Sequence, residues 1–206
     1  MEETMNYFPM FMDIKRREVL ICGGGAHALE KIERLKPFGA NLHVISPQLL
    51  PEIEEMDGIR TEKRRFVEKD LDSFPIFLVA AEGRDENERI AGICRTRHIP
   101  VNAVDMQDIC DFIFPAMVPS SQMCIAISTG GLSPAFAVEL KKRIHKCLPD
   151  DIDDILLWMN EIREKIRSKV PDKEKQKYIL CRIAEETFEK GRRLTEEEWK
   201  EWLEIN

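Results

Sequence analysis

A glycine-rich turn that joins an apolar strand to a helix is the feature of this sequence with the clearest chemical meaning. The run Val19–Cys22 leads into the pattern Gly-x-Gly-x-x-Ala, formed by Gly23, Gly25 and Ala28. In a dinucleotide site the first glycine permits a tight turn and the second lets backbone N–H groups approach a pyrophosphate. The small third residue lets the helix pack close to the strand. The anion then lies at the positive end of the helix dipole, so we predict nucleotide binding here over a purely structural turn.

The segments around this turn alternate between apolar strands and helix-patterned stretches. The first strand is predicted at Glu18–Cys22, and a helix follows from Ala28 to Phe38, ending at Gly39. The other predicted elements are strands at Asn41–Ser46, Ile59–Phe66, Ile76–Ala81 and Pro100–Val104, and helices at Leu50–Glu55 and Glu86–Arg97. This alternation is typical of a doubly wound parallel sheet with right-handed crossovers. We therefore predict an α/β, Rossmann-like domain over residues 1–112.

The pattern changes in the second half of the chain. Two apolar runs, Phe112–Val118 and Met123–Ser128, flank a short polar connection and predict an antiparallel pair of strands. Both runs are apolar on both faces, so they need a cover, and a second copy of the chain is the expected one. We predict a small β segment for dimerisation and substrate over 113–148, with a helix that begins after Ser133. Three further helices form a predicted C-terminal helical domain over 149–206.

Composition and charge exclude several classes of protein. Hydrophobic residues make up 43% of the 206 residues and charged residues 33%, which is typical of a globular protein. No apolar run is long enough to span a membrane. The net charge of −7 argues against a nucleic acid as partner, because a phosphate backbone requires a basic face. The six cysteines lack metal-ligand spacing, so we predict no bound metal, no disulfide framework and a cytoplasmic location.

Several motifs occur together in an order and spacing that resembles a known family. They are Tyr7–Phe11, Val19–Ala28, Asn102–Asp105, Phe112–Ala116 and Ser128–Pro134. Together they resemble precorrin-2 dehydrogenase, the NAD-dependent module of siroheme synthase, from residue 6 to about residue 150. The resemblance implies oxidation of the tetrapyrrole precorrin-2 to sirohydrochlorin, with NAD as the cofactor that accepts a hydride. In some members of the family the same module also inserts ferrous iron.

The resemblance also assigns roles to individual residues. It implies that Asp105 is the acid/base group, and the carboxyl end of a parallel strand is a suitable place for one. The residues predicted to bind the cofactor are Gly23, Gly24, Gly25, Ala26, His27, Ala28, Ser46, Pro47 and Ala81. The residues predicted to bind substrate are Asn102, Ser128, Gly130, Gly131 and His145. Structural alternatives stay open, such as an N-cap for Asp105, a plain strand-to-helix turn around Ser128 and a surface position for His145.

The sequence departs from the family at three places. Glu30 stands where the helix after the glycine turn usually carries arginine. Ser46 and Pro47 stand where many NAD sites place a ribose-binding acid, so the choice between NAD and NADP stays open. Glu82 and Gly83 replace the threonine and the acid or amide that follow the buried strand, which bears on cofactor affinity more than on fold. The alternative function is a non-catalytic NAD(H)-binding regulatory or partner module that uses the acidic C-terminal helices.

Overall fold

Five short strands form a parallel sheet in the first half of the chain. The strands are β1 (Glu18–Cys22), β2 (Asn41–Ile45), β3 (Ile59–Glu62), β4 (Phe77–Ala80) and β5 (Val101–Ala103). Their order in the sheet is β3-β2-β1-β4-β5, and every neighbouring pair is parallel. Sequence order therefore reverses direction at β1 and β4, which is the arrangement of a doubly wound α/β fold. The predicted Rossmann-like class is confirmed. The computed structural model describes residues 7–204.

Helices cover both faces of this sheet. They are α1 (Ala26–Leu35), the single-turn α2 (Pro51–Glu54) and α3 (Arg84–Thr96). Alternate residues of β1 face different cores, because Val19 and Ile21 pack with the α1 residues while Leu20 and Cys22 pack with the α3 residues. Residues 19–22 are all fully buried, as expected for a central strand of a parallel sheet.

The first helix differs from its predicted bounds at both ends. It begins two residues earlier than expected, at Ala26, and its α-helical part ends at Leu35. A 3₁₀ turn follows at Lys36–Phe38, because Pro37 has no N–H to continue the α-helical ladder. Gly39 then closes the turn with φ 70°, a left-handed conformation that glycine adopts without strain. The predicted stop at Gly39 is confirmed.

The second half of the chain begins with an antiparallel hairpin. Its strands are β6 (Ala116–Pro119) and β7 (Cys124–Ile127), and Met117 pairs with Ala126. The predicted pairing is confirmed, but the first strand starts later than expected. The Phe112 ring instead lies edge-on to Phe77, with 4.9 Å between ring centroids, because residues 112–114 pack against the core of the sheet.

Four helices complete the second half of the chain. They are α4 (Pro134–Cys147), α5 (Ile152–Lys169), α6 (Lys173–Lys190) and α7 (Glu196–Glu204). The Ser133 hydroxyl accepts a hydrogen bond from Phe136 N at 3.2 Å, so the predicted N-cap of α4 is confirmed. Helices α5 to α7 share a core built around Ile162, Ile166 and Ile179. Within residues 7–204, no helix combines the length and the apolar character needed to span a membrane.

Contacts divide the chain into two compact units, Met1–Phe114 and Pro115–Asn206. The first holds the parallel sheet, and the second holds the hairpin and helices α4 to α7. The further division of the second half at residue 148 stays a prediction. Residues 1–6 and 205–206, which belong to the predicted first and third domains, lie outside the described residues.

Candidate functional site

The carboxyl ends of β1, β2 and β4 lie side by side in the first unit. Gly23 N donates to Ile45 O at 3.0 Å, and Ala81 N donates to Cys22 O at 2.7 Å. These bonds extend the strand ladders by one residue and fix where the loops begin. Val104 N likewise donates to Ala80 O at 2.9 Å, which aligns the end of β5 with the same edge. The glycine turn, Ser46, Ala81 and the residues after β5 therefore share one edge of the sheet.

The three glycines of the turn differ in what surrounds them. Gly23 has φ 142°, and a Cβ placed on it would lie 2.5 Å from Ala81 O. A Cβ on Gly24 would lie 1.9 Å from Gln48 O, so the turn packs directly against the loop after β2. Gly25 is exposed, and a Cβ on it would meet nothing within 4 Å. Gly23 and Gly24 are thus needed for packing, whereas Gly25 leaves open space beside the backbone.

The N-terminus of α1 opens onto that space. Gly25 is the N-cap residue and provides no side-chain hydrogen bond to the helix. The first backbone N–H groups of a helix have no partner within it, and they carry the positive end of the helix dipole. Ala26 and His27 are exposed there, whereas Ala28 is fully buried in the core between helix and sheet. This arrangement fits the pyrophosphate of a dinucleotide, because both the N–H groups and the room for an anion are present.

Asp105 stands two residues after the end of β5, at the same edge. It has φ 59°, a left-handed conformation that is uncommon for a residue with a side chain. Its side chain is 83% exposed, and Asp105 Oδ2 lies 3.9 Å from Nε2 of His27. The structure therefore brings the predicted acid/base residue next to the glycine turn. Local strain of this kind is common at functional sites.

Asn102 has a structural partner in the same region. It is 7% exposed, and its side-chain Nδ2 donates to Phe112 O at 2.9 Å. The Cys110 thiol donates to Ala103 O at 3.1 Å, and burial raises the pKa of that thiol. These bonds fasten the chain after Asp105 back onto β5. The role of Asn102 in substrate binding stays a prediction.

Ser46 and Glu82 form a bridge across the end of β1. The Ser46 hydroxyl, on a residue that is 2% exposed, donates to Oε1 of Glu82 at 2.6 Å. Glu82 follows β4, and its backbone N–H donates to Asn87 Oδ1 at 3.0 Å. Because β2 and β4 flank β1 in the sheet, this side-chain bond spans the strand that carries the glycine turn.

A cavity of about 190 Å³ is lined in part by Glu82. Its apolar lining is Ile45, Pro47, Phe66 and Ile90, and its charged lining is Glu82, Glu86 and Arg65. Hydrogen bonds from Arg89 lower the pKa of the Glu86 carboxyl and occupy both of its oxygens. Cys22 also lines the cavity, and burial raises the pKa of its thiol, which therefore stays neutral. The cavity therefore has both apolar and charged groups in its lining.

Sequence reasoning found the edge of the sheet but missed most of this cavity. Glu82 was noted only as a departure from the family, and Arg65, Phe66 and Glu86 were not singled out. The available signal for Glu82 was its position directly after a buried strand, where ligand-binding side chains of α/β folds are found. Of the other predicted cofactor residues, Pro47 lines the cavity, and Ala81 is held by its bond to Cys22.

The remaining predicted substrate residues lie in the second unit. The Ser128 hydroxyl accepts a hydrogen bond from Gly130 N at 3.1 Å. Gly130 has φ 62° and Gly131 has φ 88°, so both need the left-handed freedom of glycine. His145 is exposed in the last turn of α4. Their roles in substrate binding stay predictions.

Several known proteins are similar to this chain in sequence. The chain is 35% identical over 195 residues to a siroheme synthase from Thioalkalivibrio sulfidiphilus, which covers 91% of this chain and 40% of that protein. It is 33% identical over 184 residues to a siroheme synthase from Methylococcus capsulatus, covering 88% of this chain and 39% of that one. The chain thus spans about two fifths of the length of these relatives. The expected resemblance to part of siroheme synthase is confirmed.

A solved structure of SirC, precorrin-2 dehydrogenase, has the same fold. Its TM-score is 0.69 at 23% identity, and the match covers 96% of this chain and 97% of that one. Residues 10–116 match the family model NAD_binding_7, described as "Putative NAD(P)-binding". This range contains the glycine turn, the Ser46–Glu82 bridge and Asp105. The chain therefore belongs to the NAD_binding_7 family of NAD(P)-binding domains.

Proposed function

We propose that this chain is an NAD-dependent dehydrogenase that oxidises precorrin-2 to sirohydrochlorin in siroheme synthesis. The observation that carries the proposal is the meeting of an open glycine turn with an exposed carboxylate at one edge of the sheet. His27 on the turn and Asp105 after β5 approach to 3.9 Å. The names of the similar proteins, siroheme synthase and precorrin-2 dehydrogenase, supply the substrate class.

The first unit offers the groups that such a reaction needs from the protein. The N–H groups at the start of α1 would bind the pyrophosphate of NAD, and Gly25 leaves the space for it. When bound, NAD⁺ supplies the acceptor for the hydride that leaves the macrocycle. Two hydrogens leave precorrin-2, one as this hydride and one as a proton. The Asp105 carboxylate would accept the proton.

The substrate is a tetrapyrrole with eight carboxylates, and basic groups would attract it. Residues 141–146 on α4 include three lysines, one arginine and His145. Of these, Arg143 Nε already donates to Glu139 Oε1 at 3.1 Å, within one turn of the helix. A local basic surface on an acidic protein raises the concentration of a small polyanion near it. Ser128 and the turn with Gly130 and Gly131 are the proposed neighbours of the substrate carboxylates.

Incubation of the full chain with precorrin-2 and NAD⁺, followed by NADH absorbance, tests the proposal. We expect the Asp105→Asn variant to lose most of the turnover, about 100-fold or more, because general base catalysis contributes about 10²–10⁴-fold. The same variant should still bind NADH, because the backbone N–H groups at the start of α1 that would bind the pyrophosphate are unchanged. Equal NADH production by both proteins would refute the catalytic role. Coenzyme binding without any turnover would favour the non-catalytic regulatory module.

Iron insertion stays a prediction of the resemblance. Among the described residues, no group of three or more His, Cys, Asp or Glu side chains is arranged to hold a metal ion. Ferrous iron would enter as a substrate, and the macrocycle itself would supply the ligands. A rate of siroheme formation above the uncatalysed one, with sirohydrochlorin and ferrous iron, would add this second activity.

We also propose that the chain forms a homodimer in the cytoplasm. In the second unit the hairpin residues Met117 and Ile125 are only partly buried, and Phe136 on α4 is 62% exposed. Exposed apolar surface next to a small two-stranded hairpin favours a protein interface. Sedimentation should give about twice the 24.0 kDa chain mass, and a Phe136→Glu variant should sediment as a monomer. A 24.0 kDa species of the unchanged protein at micromolar concentration would refute this assembly.

A further inference from the structure

We propose that the Glu82 carboxylate selects NAD over NADP by binding the adenosine ribose. This inference rests on the proposed NAD site and adds the residue that discriminates against NADP. Many NAD sites place an acid at the end of the second strand, where it accepts a hydrogen bond from the ribose 2′-hydroxyl. In this chain the second strand is followed by Ser46, which cannot provide a negative charge. The charge comes from the end of β4 instead.

The bridge between Ser46 and Glu82 carries the argument. Ser46 stands at the usual place of the acid, and its hydroxyl holds Glu82 Oε1 at 2.6 Å. This bond fixes a carboxylate over the end of β1, directly beside the glycine turn. In the part of the chain that the structure describes, no hydrogen bond occupies Oε2 of Glu82. That oxygen is available to accept from a ribose hydroxyl.

The cavity that Glu82 lines has the apolar and charged groups expected around an adenosine. Its volume is about 190 Å³, and Ile45, Phe66 and Ile90 provide apolar walls for a flat base. Both Cys22, the residue before Gly23, and Glu82 line it, so a nucleotide whose pyrophosphate lies on the turn would have its ribose near Glu82. Ligands of open α/β sheets bind in this crevice, where the strand order reverses.

The other charged groups of the cavity do not change this assignment. Glu86 is held by both Nε and an Nη atom of Arg89, so its charge is already paired. Arg65 is the group that would favour NADP, since a guanidinium binds phosphate well. Arg65 contributes less than Arg89 to the lowered pKa of the Glu86 carboxyl, so both cations act on Glu86. Glu82 lacks any such cationic partner in the hydrogen bonds of the described residues, and it would repel a 2′-phosphate.

Equilibrium titration of the full chain with NADH and with NADPH, followed by coenzyme fluorescence, tests the inference without relying on turnover. We expect the unchanged protein to bind NADH at least about 100-fold more tightly than NADPH, because a like charge against a phosphate costs several kcal/mol. Glu82→Gln should reduce this ratio about tenfold or more, by weakening NADH binding and relieving the repulsion. Ser46→Ala should reduce this ratio less, because the Glu82 carboxylate remains and loses only the hydrogen bond from the Ser46 hydroxyl.

The matched control is Glu88→Gln, which removes one carboxylate from an exposed position on α3, the helix that begins two residues after Glu82, where Glu88 pairs with Arg84. It should leave the ratio of NADH affinity to NADPH affinity unchanged.

Equal affinity of the unchanged protein for both coenzymes would refute the inference while leaving the proposed coenzyme site intact. Binding of neither coenzyme would refute both. An affinity ratio that stays the same in Glu82→Gln would refute the inference. If Arg65→Gln then weakened the binding of NADPH but not of NADH, Arg65 would be the selecting residue. If circular dichroism shows that Glu82→Gln does not fold, Ser46→Ala becomes the test. An unchanged ratio of NADH affinity to NADPH affinity in Ser46→Ala would then overturn the inference.

Discussion

Alanine substitutions in the glycine turn separate its structural role from its binding role. At Gly25, φ is −92° and an added Cβ meets nothing within 4 Å, so the Gly25→Ala variant should fold as the unchanged protein does. The poorer N-cap character of alanine costs a few tenths of a kcal/mol up to about 1 kcal/mol. The loss of chain freedom in the unfolded state offsets about 0.4–1 kcal/mol of this cost. The free energy of unfolding should therefore change by less than about 1 kcal/mol.

The same substitution at Gly23 should have a different effect on stability. There φ is 142°, and the added Cβ would lie 2.5 Å from the backbone oxygen of Ala81. Backbone strain of this type costs about 1–3 kcal/mol. The clash adds to it, because the obstructing atom belongs to the backbone directly after β4 and not to a flexible side chain. We expect Gly23→Ala to lower the free energy of unfolding by about 3 kcal/mol or more.

Coenzyme affinity completes the comparison. In Gly25→Ala the new methyl group occupies the space through which a pyrophosphate approaches the helix N-terminus. Loss of one hydrogen bond to a charged group costs about 1.5–3 kcal/mol, which corresponds to a dissociation constant about 10-fold to 150-fold higher. Urea unfolding and NADH fluorescence titration measure both quantities on the same samples. If Gly25→Ala binds NADH as tightly as the unchanged protein, the pyrophosphate does not approach Gly25. The proposed pyrophosphate site at the start of α1 would then be wrong.

Three further predictions concern the second unit. Ser133→Ala removes the hydroxyl that accepts from Phe136 N, and urea unfolding should show a loss of about 1 kcal/mol. Ile166→Ala creates a cavity at a fully buried position of the helical core and should cost about 2–5 kcal/mol, whereas a stability within experimental error would show that this core is not tightly packed. Hydrogen bonds from the hydroxyls of Ser120 and Ser121 and from backbone N–H groups lower the pKa of Asp153 to about 2, from 3.8. A lowered folded-state pKa stabilises the protein above pH 3.8, and this contribution is lost as pH falls toward about 2. The difference in unfolding midpoint between the unchanged protein and Asp153→Asn should therefore be constant near neutral pH and shrink below about pH 4.

Local signals made much of the fold predictable from the sequence. The bounds of α4 follow from Ser133 and from the apolar spacing behind it, and Gly191 and Gly39 end their elements in left-handed conformations. Thr195 and Glu198 form reciprocal bonds at the start of α7, as the Thr-x-x-Glu spacing predicts. Each of these features depends on atoms within a few residues of one another, so the sequence pattern contains the whole cause.

Features that depend on distant residues could not be predicted in the same way. Strand β3 ends at Glu62, four residues earlier than expected, because Arg64 turns away to bind both oxygens of Asp70. The Ser46–Glu82 bond joins residues 36 positions apart, and only the strand order brings them together. A local pattern shows an acid after a strand and a serine after another strand, but it does not show that the two meet.

The three residues of the glycine motif carry unequal weight as evidence for a ligand. Gly23 is required by the closeness of β4, and Ala28 by the packing of α1 on the sheet, so both would be small in a turn that binds nothing. Gly25 has no such structural reason, because there is open space around it. Asp105 also has no such structural reason, because its side chain is 83% exposed at the same edge of the sheet. Function at this edge is therefore best sought in residues that packing leaves unexplained.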